Sequence, residues 1–100
     1  MLLAKAEIIF TLSDKNYIAR KDFRVPFNFG EDLLFSGNII SNHQEYINNE
    51  KYLVSIEFFT IEGEAYDAVK HLLLPGSTIA MQAGSRLLGK AKLLEFDYVA

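Results

Sequence analysis

The segment Gly84-Ser85-Arg86-Leu87-Leu88-Gly89-Lys90-Ala91 satisfies G-x-x-x-x-G-K, the opening of a phosphate-binding loop. That chemistry needs backbone N–H groups converging on phosphate at a helix N-terminus, a lysine for the outer phosphates, and a hydroxyl on magnesium. Ala91 stands where the hydroxyl belongs, two leucines occupy the cradle, and an alternating strand rather than a helix follows. The sequence therefore reads here as a hairpin turn entering the last strand, and no nucleotide or other cofactor is expected.

Other chemistry is thinly supplied. His43 and His71 are the only histidines, with no H-x-x-x-H or H-E-x-x-H spacing, so a metal site would have to be assembled by the fold alone. His43 lies among turn residues. His71 lies near the end of a helical stretch, where it could meet free carbonyls. Ser, His and Asp all occur, but no G-x-S-x-G elbow does, and Gly76-Ser77-Thr78 does not supply one. Acids pair at Glu31-Asp32, Glu62/Glu64 and Glu95/Asp97. Residues two apart on a strand share a face, yet the last two pairs fall at expected strand ends, where water reaches them. No catalytic or metal residues are assigned, and the chain is expected not to be an enzyme.

Basic residues gather twice: Arg20, Lys21 and Arg24, then Arg86, Lys90 and Lys92 beside Gly84. Lys90 and Lys92 share one outward strand face, and Tyr17 and Phe23 lie near the first group in sequence. These residues form the candidate interaction surface, as phosphate contacts or as an ordinary charged exterior.

The elements that must carry them are short. Ala6, Ile8, Phe10 and Leu12 alternate with Lys5, Glu7, Ile9 and Thr11, the pattern of a half-buried strand. Ser13-Asp14-Lys15-Asn16 is turn chemistry. Phe23, Val25, Phe27 and Phe29 form a second face of period two, with Pro26 placing that strand at an edge or bulge. Gly30-Glu31-Asp32 turns into a strand over 33–40, and Ser41-Asn42-His43-Gln44-Glu45 turns again. Tyr46–Glu50 fits no single pattern. Over 51–60, Tyr52, Val54, Ile56 and Phe58 alternate with Leu53, Ser55, Glu57 and Phe59. Ala65, Ala68, Val69 and Leu72 have helical spacing, so a short helical insertion near 64–73 is expected to cover one barrel mouth before Pro75-Gly76. Strands over 78–82 and 87–96 follow, joined through Ala83-Gly84-Ser85-Arg86.

Six strands with one marginal helix predict an all-β fold, a small antiparallel barrel, since closure removes exposed sheet edges. The chain has 100 residues, 50% hydrophobic and 23% charged, with no cysteine and a net charge of −3. That length suits one domain over 1–100. Lack of cysteine excludes disulfides, thiolate catalysis and Cys-based zinc sites. The mild acidity argues against a general nucleic-acid binder. No apolar run approaches the roughly 20 residues that span a bilayer, and Met1-Leu2-Leu3-Ala4-Lys5 does not open a signal peptide. A cytoplasmic protein without a membrane association is the expectation.

Together the segments resemble the C-terminal β-barrel domain of bacterial elongation factor Tu, the third domain of that GTPase. Ala6-Glu7-Ile8-Ile9-Phe10-Thr11-Leu12-Ser13 is similar to the family's A-E-V-Y-V-L-S strand, and Phe23-Arg24-Val25-Pro26-Phe27-Asn28-Phe29 to its Y-R-P-Q-F-Y-F. Ser36-Gly37-Asn38-Ile39 is similar to T-G-T-V, and Tyr52-Leu53-Val54-Ser55-Ile56-Glu57 to V-K-M-T-V-E. Ile79-Ala80-Met81-Gln82-Ala83-Gly84-Ser85-Arg86-Leu87-Leu88-Gly89 resembles F-A-I-R-E-G-G-R-T-V-G, the most specific of the set. Gly84 and Arg86 match the R-E-G-G-R turn, while Gln82 and Ala83 replace its Arg and Glu. Asn16-Tyr17-Ile18-Ala19-Arg20 takes the place of an E-G-G-R-H loop, and Asn48-Asn49-Glu50 of a P-G-D turn.

The resemblance implies a six-stranded closed Greek-key barrel of the translation-factor type. It also implies a surface that packs on a GTPase domain and touches the tRNA acceptor and T-stem backbone. It implies no GTP hydrolysis by these residues, which lack the GTPase domain. The leading functional expectation is a non-enzymatic protein-interaction module, one version being an immunity or decoy protein that blocks a toxin or competes for an elongation-factor partner. The alternative is a tRNA- or RNA-binding accessory of translation using Arg86, Lys90, Lys92 and the Arg20/Lys21/Arg24 cluster. A small hydrolase is the third.

Overall fold

The computed structural model describes residues 1–12, 19–20, 24–43 and 45–99. The strands are β1 (Leu2–Phe10), β2 (Ala19–Arg20), β3 (Arg24–Asn28), β4 (Leu34–Ile40), β5 (Glu45–Tyr46) and β6 (Lys51–Phe58). Helix α1 (Glu64–Val69) runs into a 3-10 turn over Lys70–Leu72, and β7 (Thr78–Ala83) and β8 (Arg86–Tyr98) complete the chain. The order β1-β6-β4-β3-β7-β8 closes into an antiparallel barrel, with β2 and β5 paired beside it. Strands β3, β4 and β6 are successive neighbours, and β1, which precedes them, lies beside the last; that is a Greek key. The expected six-stranded barrel is what the chain forms.

Alternation builds the core. Ala6, Ile8 and Phe10 of β1, Val25 and Phe27 of β3, Val54, Ile56 and Phe58 of β6, and Ala91 and Leu93 of β8 are all buried. Phe58 holds the centre, edge-on to Phe27 and Phe29 with ring centroids 5.2 Å away in each case. Truncating such a ring to alanine typically costs about 3–5 kcal/mol. Among the described residues the buried side chains are hydrophobic ones, so the core is built by apolar packing within the hydrogen-bonded wall. Pro26 sits where the ladder tolerates it: β3 pairs with β4 from Arg24 to Asn28, but with β7 only at Phe27 and Asn28.

Several boundaries differ from the sequence reading. β1 starts at Leu2, three residues before the alternation expected from Lys5 onward, because small Ala4 and apolar Leu2 also face inward. Leu12 is buried but lies beyond the strand, where Asn48 replaces a strand partner. The Asn48 side chain accepts the Leu12 N–H at 2.8 Å and donates to the Leu12 carbonyl at 2.7 Å. The Asn49 N–H donates to the Phe10 carbonyl at 2.7 Å. The ambiguous stretch after residue 45 is thus a short pair followed by a turn stitched to β1. Buried Tyr46 packs on Phe10 and Tyr52 with centroids 5.6 and 5.0 Å apart. The turn expected over 13–16 and the inward Phe23 lie outside the described residues.

The helical insertion is shorter than its periodicity. α1 stops at Val69, which is buried and centres its inward face; Ala68, about 100° away around the helix, is exposed, and Ala65 and Leu72 are half-buried. Tyr66, Leu72 and Leu73 pack on the core, at the barrel end shared with the Gly30–Leu33 hairpin.

Between β7 and β8 the chain turns through Gly84 and Ser85 alone. Gly84 has φ +60 and open space around it, so it serves backbone conformation. Gly89 serves proximity: a Cβ there would lie 2.2 Å from the Ile9 carbonyl oxygen and 2.9 Å from the Phe10 Cα. The two glycines of the phosphate-loop pattern therefore have separate structural causes. Gly84→Ala is expected to cost about 1–2 kcal/mol through left-handed backbone strain. Gly89→Ala should cost about 3 kcal/mol or more, because backbone must move. Urea denaturation of both variants checks the order; equal losses would contradict it.

Candidate functional site

The residues expected to form one interaction surface are divided by the fold. Arg20 has its backbone in β2, opposite Glu45, and Lys21 lies outside the described residues. Arg24 is exposed at the start of β3, its Nε–H donating to Asn38 Oδ1 at 3.0 Å. Gly84 in the β7–β8 turn and Arg86 at the start of β8 lie at the same end of the barrel, both exposed. Lys90 and Lys92 lie further along β8, and β7 separates that strand from β3. Arg24 and the lysine pair therefore face different directions around the wall.

Register places Lys90 and Lys92 in company the sequence did not reveal. Across β8, β1 and β6, Lys90 is opposite Ile9 and Ile9 opposite Lys51; Lys92 is opposite Glu7 and Glu7 opposite Leu53. The next rows are Glu95–Lys5–Ser55 and Asp97–Leu3–Glu57. Lysines 90 and 92 and acids 95 and 97 would point to opposite sides of a regular strand. They share a face because the β1–β8 register shifts between Lys5 and Ala6, leaving Leu94 as an extra residue. The result is a face of four lysines (Lys5, Lys51, Lys90, Lys92) and four acids (Glu7, Glu57, Glu95, Asp97) around Leu3, Ile9 and Leu53.

Two ion pairs lie within it, Lys5 Nζ to Glu95 at 3.6 Å and Lys51 Nζ to Glu7 at 3.8 Å. Lys90, Lys92, Glu57 and Asp97 have no ion-pair partner among the described residues. An open groove of about 430 Å³ runs along the acidic half, lined by Leu3, Lys5, Ile40, Glu57, Glu95 and Asp97 among others. A smaller one of about 190 Å³ lies among Lys51, Lys90 and Lys92. Leu53 is 66% exposed and Ile40 41%.

The remaining candidates are scattered. Glu31 and Asp32 occupy the β3–β4 turn with φ 54 and 60. Glu62 and Glu64 are not two apart on a strand, since Glu62 precedes α1 and Glu64 opens it. His71 approaches Glu31 at 3.5 Å rather than the helix carbonyls. His43 stands edge-on to Tyr52, centroids 4.7 Å apart, at the opposite barrel end. Among the described residues no three acids or histidines cluster to hold a metal ion, and no helix is long and apolar enough to cross a membrane. No protein-family model matches the chain, and no curated protein matches it.

Glu62 has a structural role. Its carboxylate accepts from the Met1 amine and, at 3.1 Å, from the Tyr98 hydroxyl. Tyr98 in turn stacks on Tyr66 at 3.8 Å. The bond from the amine, with help from Tyr98, holds the Glu62 carboxyl below the ordinary glutamate value. A depressed folded-state value contributes stability above the ordinary glutamate range, lost as pH falls through the lower one. Side-chain NMR titration should find the Glu62 midpoint lowered, and Tyr98→Phe should raise it partway; an unshifted midpoint contradicts this arrangement.

Proposed function

We propose that this chain is a non-enzymatic protein-binding barrel of the cytoplasm, akin to the C-terminal barrel of elongation factor Tu. The observation carrying the reading is the balance of the β8–β1–β6 face, where four lysines and four acids surround exposed Leu53 and half-buried Leu3 and Ile9. A phosphate backbone rewards clustered positive charge and little else. A protein surface rewards opposite charges placed in register around apolar contacts. Glu7, between Lys92 and Leu53, and the acids below it repel a polyanion from the lysines meant to hold it.

The relation to the translation-factor barrel draws support from the six-stranded Greek key and from the five ordered segment likenesses. Replacement of the family's Arg and Glu by Gln82 and Ala83 moves the chain away from tRNA contact and toward a barrel that acts as a decoy or immunity protein.

Titrating tRNA against the protein at rising salt separates the readings. Binding is expected to be weak and unchanged by Lys90→Ala or Arg86→Ala. Tight binding with a steep salt slope, reduced by about one ion for each substitution, would overturn the protein-binding reading in favour of RNA. In the matching capture from the native cell, Lys90→Glu/Lys92→Glu should lose the partner that wild type retains, whereas Ser36→Glu on the far wall should keep it.

A further inference from the structure

The charges of this face are not merely balanced; they are arranged antisymmetrically. The half nearer the β7–β8 turn holds Lys90, Lys92 and Lys51 with Glu7 on the central strand. The other half holds Asp97, Glu95 and Glu57 with Lys5 on the central strand. A two-fold axis lying in the face, across the strands at Ala6, exchanges the halves while keeping each strand opposite its own copy. Under that operation Lys90 meets Asp97, Lys92 meets Glu95, Lys51 meets Glu57 and Glu7 meets Lys5. Of the uncharged positions, Ile9 meets Leu3 and Leu53 meets Ser55. Every charge finds its opposite.

We infer that the occupant of this face is a second copy of the chain, docked face to face with its strands running the other way. The inference rests on the protein-binding reading and names its partner. An isologous contact requires a surface complementary to itself under a two-fold rotation. The shift at Leu94 is what makes this one so, by turning Glu95 and Asp97 onto the side of Lys90 and Lys92. Lys90 and Asp97 have no ion-pair partner among the described residues of their own chain, so each is available to the other copy.

Size sets the strength. Strands about 4.8 Å apart and rows about 7 Å apart give a patch of about 400 Å² a side. Both sides together, about 800 Å², fall below the roughly 1,200 Å² of a stable interface. The dimer is therefore weak, reversible and salt-sensitive, since exposed charges are screened beyond about 10 Å at 0.1 M salt.

Sedimentation equilibrium from micromolar to millimolar protein tests it. At about 20 mM salt the wild type should self-associate as a monomer–dimer, with Kd rising at least tenfold at 0.5 M. Lys90→Glu and Asp97→Lys should each weaken the dimer at least tenfold, and their equimolar mixture should regain it, because the heterodimer has both pairs restored. Circular dichroism confirms that each variant is folded, and the mixing experiment excludes general damage. A wild type monomeric throughout, or a dimer indifferent to both variants, overturns the inference. If a monomeric chain still captures a different protein in a manner lost in Lys90→Glu/Lys92→Glu, the second copy is excluded while the protein-binding reading stands.

Discussion

Strand β1 is hydrogen-bonded along both edges, from Leu2 to Ile9 with β6 and from Leu2 to Phe10 with β8. The second pairing is possible at its far end only because Gly89 has no side chain to strike the Ile9 carbonyl. This close approach fixes the β1–β8 register, and the register fixes what lies on each side of the wall. Inward it seats Ala91 and Leu93 beside Ala6 and Ile8; outward it lines up Lys90 with Ile9 and Lys92 with Glu7. The extra residue at Leu94 then changes which side the rest of β8 presents. The core and the candidate surface are consequences of one ladder.

A closed barrel also limits how a partner can be met. Strand addition needs an unpaired edge, and closure leaves the barrel few, since β3 meets β7 only at Phe27 and Asn28. Most of what a partner can meet is therefore side chains on the outer wall and the connections at the two ends. The ends are occupied by their own packing: Tyr46, Tyr52 and His43 at one, and Tyr66, Tyr98 and Glu62 at the other. The β8–β1–β6 wall carries charge and exposed apolar surface together, the combination that a protein contact uses.

Much of the fold was legible in the sequence because period-two burial is a local property. Ile8, Phe10, Val25, Phe27, Val54, Ile56 and Phe58 declare their sides without knowledge of their neighbours. The hairpin at Gly84-Ser85 is equally local, since two residues between alternating runs suffice. The helix was half legible, because spacing cannot show that α1 gives way to a tighter turn after Val69 or that its inward face centres on Val69 and leaves Ala68 in solvent. The site was hardly legible at all. Lys5, Glu7 and Glu57 read as outward-facing, but only pairing across strands distant in sequence brings them, with Lys51, beside Lys90 and Lys92. The shift at Leu94 is invisible to alternation, which would have set Glu95 and Asp97 on the other side. Clustering in sequence pointed instead to Arg24 and Arg86 as companions of the lysines, and Arg24 belongs to another part of the wall.

The phosphate-loop pattern shows why residue identity without context carries little chemistry. Gly84 is required by a left-handed turn, Gly89 by contact with β1, and Lys90 by the outer wall. Three independent demands of a hairpin thus reproduce a motif whose own demand, a helix beginning at the second glycine, goes unmet. The net charge of −3 is similarly uninformative as a total. On the β8–β1–β6 wall, four positive and four negative side chains cancel, and what remains is their order. Order along paired strands distinguishes a surface built for a polyanion from one built for a protein.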